Sequence, residues 1–288
     1  MTYTFFPGCS LDGAAKDFRS STLGVAAKLG LEIPELKDWI CCGSTAAHST
    51  DPLLAAALPA QSLASAGGAT VAVACASCYS RLKTANHHIA GDAALRARVA
   101  QVVGRDYDGR TPVLHVLEIL VRDIGLARIA AAIRHPLTGL KVACYYGCLL
   151  ARPPEITGFD DPENPTLMDQ LMQVAGATPI EWPHKTECCG ASFSITDTSI
   201  VLDLSNRILS MAQAAGADCI ATACPLCQLN LDMRQKDIEA KSGHRYNLPV
   251  FYFTQLLGLA MGCRADELSL DSLVVEPQAL LEAKGIAS

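Results

Sequence analysis

The 288-residue chain is predicted to be an α/β protein of two similar domains, each a small parallel sheet with flanking helices, related by pseudo-two-fold symmetry. Three observations predict this. Ten of thirteen cysteines fall into two patterns, C-x31-CC-x32-C-x2-C and C-x39-CC-x34-C-x2-C. The surrounding segments repeat as well, PGCSLD with YGCLLA, GATVAVACASCYSRL with ADCIATACPLCQLNL, and TPVLHVLEIL with LPVFYFTQLL. Short β-rich apolar runs alternate with helical stretches in both copies. The boundary is expected in RHPLTG, which divides the chain into residues 1–136 and 137–288.

The elements follow in order. YTFF, residues 3–6, predicts a strand leading to Cys9, and residues 12–29 a helix. WICCGST, residues 39–45, predicts a turn. The helix after it, residues 51–67, contains Pro59, which is expected to bend or break it. TVAVA, residues 70–74, predicts a buried parallel strand that delivers Cys75 and Cys78 to a strand-to-helix turn. The second copy repeats the plan with LKVACYY at 140–146, a helix near 163–175, TECCGAS at 186–192, a helix over 195–216, and CIATA at 219–223 before Cys224 and Cys227. Pro225 suits a first helical position. Both Cys-x2-Cys pairs therefore sit at helix N-termini, where the dipole is expected to lower a thiol pKa. Residues 266–288 show no repeat and read as a partner-docking tail or as a helix packed on the second domain.

Composition narrows the function. Half the residues are hydrophobic and 18% are charged, as in a compact globular chain. A net charge of −6 gives no electrostatic footprint for nucleic acid, and no apolar run approaches the length of a membrane span. The N-terminus, MTYTFFPGCS, lacks a basic region followed by an apolar core, so a cytoplasmic location is expected. Thiols there are kept reduced, so thirteen cysteines point to metal binding or redox chemistry rather than to disulfides.

Thiolates bind zinc or iron–sulfur clusters. A structural zinc takes four ligands, whereas each copy offers five. Two of the five are neighbours, with Cα atoms about 3.8 Å apart, and reach separate atoms of a larger metal core more readily than one ion. Iron–sulfur is the favoured reading and zinc the alternative. Gly43 and Gly190 are expected where backbone passes close to a bulky inorganic core.

These motifs resemble the B-type subunit of heterodisulfide reductase and its bacterial relatives, built from two CCG domains, over nearly the whole chain to about residue 262. The resemblance implies two non-cubane [4Fe-4S] clusters. Cys9, Cys41, Cys42, Cys75 and Cys78 would hold one, and Cys148, Cys188, Cys189, Cys224 and Cys227 the other. It further implies reductive cleavage, or oxidative formation, of a disulfide in a shared cleft, each cluster capturing one sulfur. The partners implied are a ferredoxin-like C-type subunit that delivers electrons and a flavin-containing A-type subunit, with a small disulfide or a lipoyl-type sulfur carrier as substrate. The ten cysteines would then be catalytic through the clusters they bind.

Cys144, Cys219 and Cys263 fall outside the pattern and read as core thiols, although Cys144 stands four residues before Cys148. His184 is the candidate proton donor, and His115, matched by Tyr252 in the second copy, is a structural histidine or a site residue. Arg81, Lys83 and Arg152 are solvated surface or meet an acidic substrate. Two other functions remain open. One is an electron-transfer subunit of a quinone-linked dehydrogenase, as CCG domains also occur in such systems; the other is a zinc-stabilised interaction module.

Overall fold

Buried apolar residues pack around two parallel sheets in a computed structural model that describes residues 2–44 and 46–286. Thr45, the last residue of WICCGST, lies outside the described residues, as do Met1, which opens the first expected domain, and residues 287–288, which close the second. The first sheet orders β1 (Tyr3–Phe6), β2 (Thr70–Val73) and β3 (Val113–His115) side by side. The second contains β4 (Lys141–Tyr145), β5 (Thr178–Pro179), β6 (Cys219–Thr222) and β7 (Val250–Tyr252) in the order β5-β4-β6-β7. Equivalent registers repeat, with Phe5 opposite Ala72 in the first sheet and Cys144 opposite Ala221 in the second. Each central strand is apolar because helices cover both faces of a parallel sheet.

β5 has a reduced counterpart in the first half. Phe5 pairs with Glu35 in a single parallel bridge, held by bonds from Phe5 N to Pro34 O at 2.7 Å and from Leu36 N to Phe5 O at 2.8 Å. The chain returning from the helix after β1 thus occupies the same edge in both halves, but only the second copy makes a strand of it.

The helices follow the predicted order. After β1 come α1 (Gly8–Asp12) and α2 (Lys16–Lys28). After the first CCG comes α3 (Pro52–Leu63), capped by Asp51, which accepts from the amides of Leu53 and Leu54. Pro59 does not break α3; the helix runs through it to Leu63. Pro lacks only one donor, and the buried side of the helix, including Ala56, Pro59, Ala60 and Leu63, keeps the element in place. α4 (Ala76–Gly91) follows β2. In the second half, α5 (Cys148–Ala151), α6 (Leu167–Val174), α7 (Thr198–Ala214), α8 (Pro225–Asp232) and α9 (Phe253–Ala260) complete the repeat.

The two halves pack directly. Phe18 of α2 stacks on Tyr252 with ring centroids 4.0 Å apart, and the Ser21 hydroxyl meets that of Thr254 at 2.7 Å. On α4, Tyr79 donates to Thr157 O at 2.9 Å and Lys83 donates to the same carbonyl. The C-terminal segment, through Ile286, packs on the second half. Leu268, Leu270, Leu273 and Leu281 are buried, and the Asp232 carboxylate accepts from the amides of Val274 and Val275.

Candidate metal centre

Each of the ten cysteines stands at the carboxyl end of a strand or in the CCG loop beside it, on the side where open parallel sheets carry their ligands. Cys9 lies in α1 immediately after β1, and Cys148 opens α5 after β4. Cys75 and Cys224 are the N-cap residues of α4 and α8. Burial repeats across the halves. Cys42, Cys75 and Cys78 are buried, as are Cys189, Cys224 and Cys227, whereas Cys9, Cys41 and Cys188 are exposed and Cys148 is half-buried.

The sulfurs meet in corresponding pairs. Cys9 and Cys41 are 3.6 Å apart and Cys42 and Cys78 are 3.3 Å apart; in the second half Cys189 and Cys227 are 3.6 Å apart, and Cys148 hydrogen-bonds with Cys188. Cys75 and Cys224 also interact across the interface between the halves. Among the described residues, no three or more His, Cys, Asp or Glu side chains are arranged to hold a metal ion.

The proton distribution follows these pairs. Hydrogen bonds from Cys41 and Cys78 hold the Cys42 thiol down to about 4, with the charge of Arg81 assisting, and the bond from Cys148 lowers Cys188 to about 6. Cys224 is also held well below the usual thiol range, by Cys227 and Cys75 and by backbone amides at its helix N-terminus. The depression expected for both Cys-x2-Cys pairs stops there. Cys75, Cys78 and Cys227 are pushed up, first by hydrogen bonds to Cys224, Cys42 and Cys189 respectively, with burial adding to each. Neighbouring sulfurs outweigh the helix dipole, which acts only within the first turn.

The CCG glycines turn their amides toward sulfur. Gly43 and Gly190 adopt φ of 73° and 80°, and this left-handed turn directs their amides to Cys41 Sγ at 3.5 Å and Cys188 Sγ at 3.3 Å. A Cβ on Gly43 would meet Ala47 and Leu58 at 2.7 Å, and one on Gly190 would meet Leu204 at 3.1 Å. The crowding comes from the following helix, not from the sulfurs. The close approach to sulfur occurs at Gly8 and Gly147, just before the first cysteine of each set. A Cβ there would lie 2.9 Å from Cys78 Sγ and 3.1 Å from Cys227 Sγ. The repeated PGC and YGC carried this signal in the sequence.

A cavity of about 100 Å³ opens between the halves. All five second-half cysteines line it; Ser44, Ser77 and Arg81 face them from the first half. His184 is not among its lining residues. It lies against Trp182, with centroids 6.4 Å apart, and its Nδ1 is buried without a partner among the described residues. His115 is fully buried; Nε2 donates to Ala74 O at 2.7 Å, and Nδ1 accepts from Leu117 N at 3.1 Å. Arg152 is held by Glu163, Thr186 and Pro162 O, so of the three basic candidates only Arg81 faces the cavity. Cys144, Cys219 and Cys263 are buried away from it, and burial raises each thiol pKa. No helix among the described residues is long and apolar enough to cross a membrane.

Residues 3–83 and 142–232 match the cysteine-rich domain family CCG. The chain is 30% identical over 279 residues, covering 95% of this chain and 97% of the relative, to the 8-methylmenaquinol:fumarate reductase membrane anchor subunit of Wolinella succinogenes. It is also 30% identical over 281 residues, 95% of this chain and 93% of the relative, to the B-type subunit of the ferredoxin/F(420)H(2)-dependent CoB-CoM heterodisulfide reductase of Methanosarcina acetivorans. Among solved structures, a hypothetical protein from Helicobacter pylori superposes with a TM-score of 0.74 at 11% identity, matching 96% of this chain and 52% of that one, a likeness of fold. The chain belongs to the family of proteins built on two cysteine-rich CCG domains, which includes these B-type heterodisulfide reductase subunits.

Proposed function

We propose that this chain is the iron–sulfur subunit of a heterodisulfide-reductase-like complex and that it interconverts a disulfide and two thiols. The observation that carries the reading is the meeting of two complete five-cysteine sets at Cys75 and Cys224, beside a cavity between the halves. The domains 1–136 and 137–288 would each hold one non-cubane [4Fe-4S] cluster through the five cysteines assigned above. Clusters held there would supply the two electrons that a disulfide needs and a Lewis acid for each nascent thiolate. The donor set fits: ten thiols, thiolate favoured at Cys42, Cys188 and Cys224, and a missing Cβ at Gly8 and Gly147. Sulfurs now 3.3–3.6 Å apart would have to separate around such a core.

The reaction is RSSR′ + 2e⁻ + 2H⁺ → RSH + R′SH. The cavity, lined by all five second-half cysteines, is where the second cluster would sit, and its apolar wall at Leu149 and Leu226 limits water there. Subunit names among the relatives support assembly with other chains, and an electron-delivering C-type and a flavin-bearing A-type subunit are the proposed partners. The proton donor is unassigned, since His184 does not line the cavity.

A second reading is favoured by the equal identity to a menaquinol:fumarate reductase subunit: the same cysteines would then relay electrons between a quinol and another subunit. Anaerobic reconstitution followed by iron, sulfide and zinc analysis and by EPR separates the readings. Two clusters per chain and a signal altered by added thiol support sulfur chemistry. Two clusters with no thiol response, and turnover with quinone analogues only, support the relay. Stoichiometric zinc without sulfide overturns both.

A further inference from the structure

The halves meet through two related contacts, and only one of them is filled. Phe159 meets His115 on one side, and Phe18 stacks on Tyr252, the sequence counterpart of His115, on the other. On the first side Tyr79 and Lys83 of α4 reach across. The Lys83 ammonium lies 5.1 Å from the centre of the Tyr79 ring, and both groups donate to Thr157 O. In the matched segments CASCYSRLK and CPLCQLNLD, Tyr79 corresponds to Gln228 and Lys83 to Asp232. The second side thus has a shorter amide in place of the phenol and a carboxylate in place of the ammonium. It leaves a cavity of about 460 Å³ between α8 and the turn from α1 into α2, and no cysteine lines it. That volume falls within the ~300–1,000 Å³ of small-molecule sites.

The polar lining is rich in acceptors and lacks a paired cation. Asp17, 7% exposed, meets only backbone amides of its own turn, and no side chain bonds to it among the described residues. Asp232 is close enough to repel it and is taken up by Gln228 and by the amides of Val274 and Val275. The Tyr252 hydroxyl, on a side chain 1% exposed, has no hydrogen-bond partner among the described residues, while its ring is fixed by Phe18. Lys16 stands exposed at the mouth and forms no ion pair with either carboxylate among the described residues. A buried carboxylate without a counter-charge is costly, and an unpartnered phenol beside it adds a second unmet bond. Leu229 and Met233 make the facing wall apolar, which suits an aliphatic chain better than a hydrated metal ion.

We propose that this cavity binds a small aliphatic amine, with its primary ammonium between Asp17 and the Tyr252 hydroxyl and its stem on Leu229 and Met233. The ligand supplies on the second side the charge that Lys83 supplies on the first. An ammonium offers three donors, enough for the Asp17 carboxylate and the phenol oxygen together. Asp17 belongs to the first half and the other three residues to the second, so the ligand binds only the assembled pair and stabilises their contact. The site stands apart from the sulfur chemistry proposed above and does not depend on it.

The test uses the full-length protein in its cluster-loaded form, carrying 13C in the methionine methyl groups. Met233, 55% exposed at the rim, is the reporter, assigned through Met233→Leu. The probes are n-pentylamine, charged at neutral pH, and 1-pentanol, which has the same chain and no charge. In wild type the amine should shift the Met233 methyl resonance saturably and bind about tenfold or more tighter than the alcohol. Asp17→Asn should weaken the amine by about tenfold or more and leave the alcohol unchanged, because a charge-assisted bond is lost. Tyr252→Phe, which keeps the stacked ring, should weaken the amine by a smaller factor. Unmoved resonances of the other methionines in the ligand-free variants show that the fold is intact. Equal binding of amine and alcohol by wild type, equal weakening of both by Asp17→Asn, or a Met233 methyl that neither probe moves would each overturn the proposal. Nα-acetyl-lysine N-methylamide distinguishes a free amine from a protein side chain. Tighter binding of this blocked lysine than of n-pentylamine would overturn the small-molecule assignment and give the site to a lysine of a partner chain.

Discussion

Gly8 and Gly147 hold φ of 63° and 68° directly before the first cysteine of each set, and the sulfur of the second Cys-x2-Cys cysteine occupies the space where a side chain would begin. Any L-residue there meets two penalties, a left-handed backbone and a contact of 2.9–3.1 Å with a fixed thiol. Gly8→Ala is therefore expected to lower iron loading of the first site, bringing the chain to about half the wild-type iron content under the proposed stoichiometry; Gly147→Ala should do the same for the second. Iron analysis after reconstitution, with far-UV circular dichroism to show that the fold persists, checks this. Full loading of both variants would show that the cysteines tolerate displacement. Gly43 and Gly190 differ: their neighbours are helix side chains, so substitution there acts through the CCG loop.

At the level of elements, both halves place a strand, a turn and a helix N-terminus behind the three sulfurs outside the CCG loop, and side chains of later helices tie down the loops. Ser62 of α3 accepts from Ile40 N at 3.0 Å, and Ser205 of α7 donates to Cys189 O at 3.4 Å. After the third strand, His115 performs the same kind of task. Its Nδ1 accepts from the Leu117 amide and its Nε2 donates to Ala74 O, one residue before Cys75, which fixes a neutral ring. Burial, outweighing the backbone contacts with Ala74 and Ala223, lowers its pKa to about 4 from 6.5. The unfolded chain thus binds a proton between those values that the folded one refuses. The stabilisation is fully present above pH 6.5 and is lost as pH falls toward 4. Asp232, raised to about 6 mainly by burial, acts in the opposite sense, since the fold favours its protonated form. Urea unfolding of wild type and His115→Asn at pH 7 and pH 5 isolates the histidine, because Asp232 is common to both. Wild type should lose more stability on acidification than the variant, in which an amide can still cap the helix. Equal losses would place the proton elsewhere.

The molecule as a whole depends on the contact between its halves, since the cavity and the Cys75–Cys224 approach exist only there. Phe18 is central to that contact: fully buried, it stacks on Tyr252 and meets Phe253 edge-on at 6.0 Å. Phe18→Ala should cost about 3–5 kcal/mol, the usual range for removing a buried aromatic ring. The halves share this core, so unfolding should remain one cooperative transition with a lowered midpoint, measured by urea denaturation. A loss confined to the first half, resolved as a separate transition, would show that the halves fold independently.

The residues by themselves determined the duplication, the α/β class and the order of strands and helices, because apolar runs of strand length and a repeated cysteine frame depend on local spacing. They also marked the ten thiols, whose pattern is visible without coordinates. Pro59 did not break its helix, because a missing donor at one position cannot outweigh the burial of an entire helix face. Gly8 and Gly147 went unmarked for a related reason: which atom crowds a missing Cβ is a long-range fact, and Cys78 is seventy residues from Gly8. Only the tertiary structure decided that Cys75 meets Cys224, that His184 stands outside the cavity while Arg81 lines it, and that Lys83 and Arg152 are engaged elsewhere. Those outcomes depend on how two sheets pack across an interface, and side chains of similar chemistry become anchor, brace or surface according to which neighbour that packing brings within hydrogen-bonding reach.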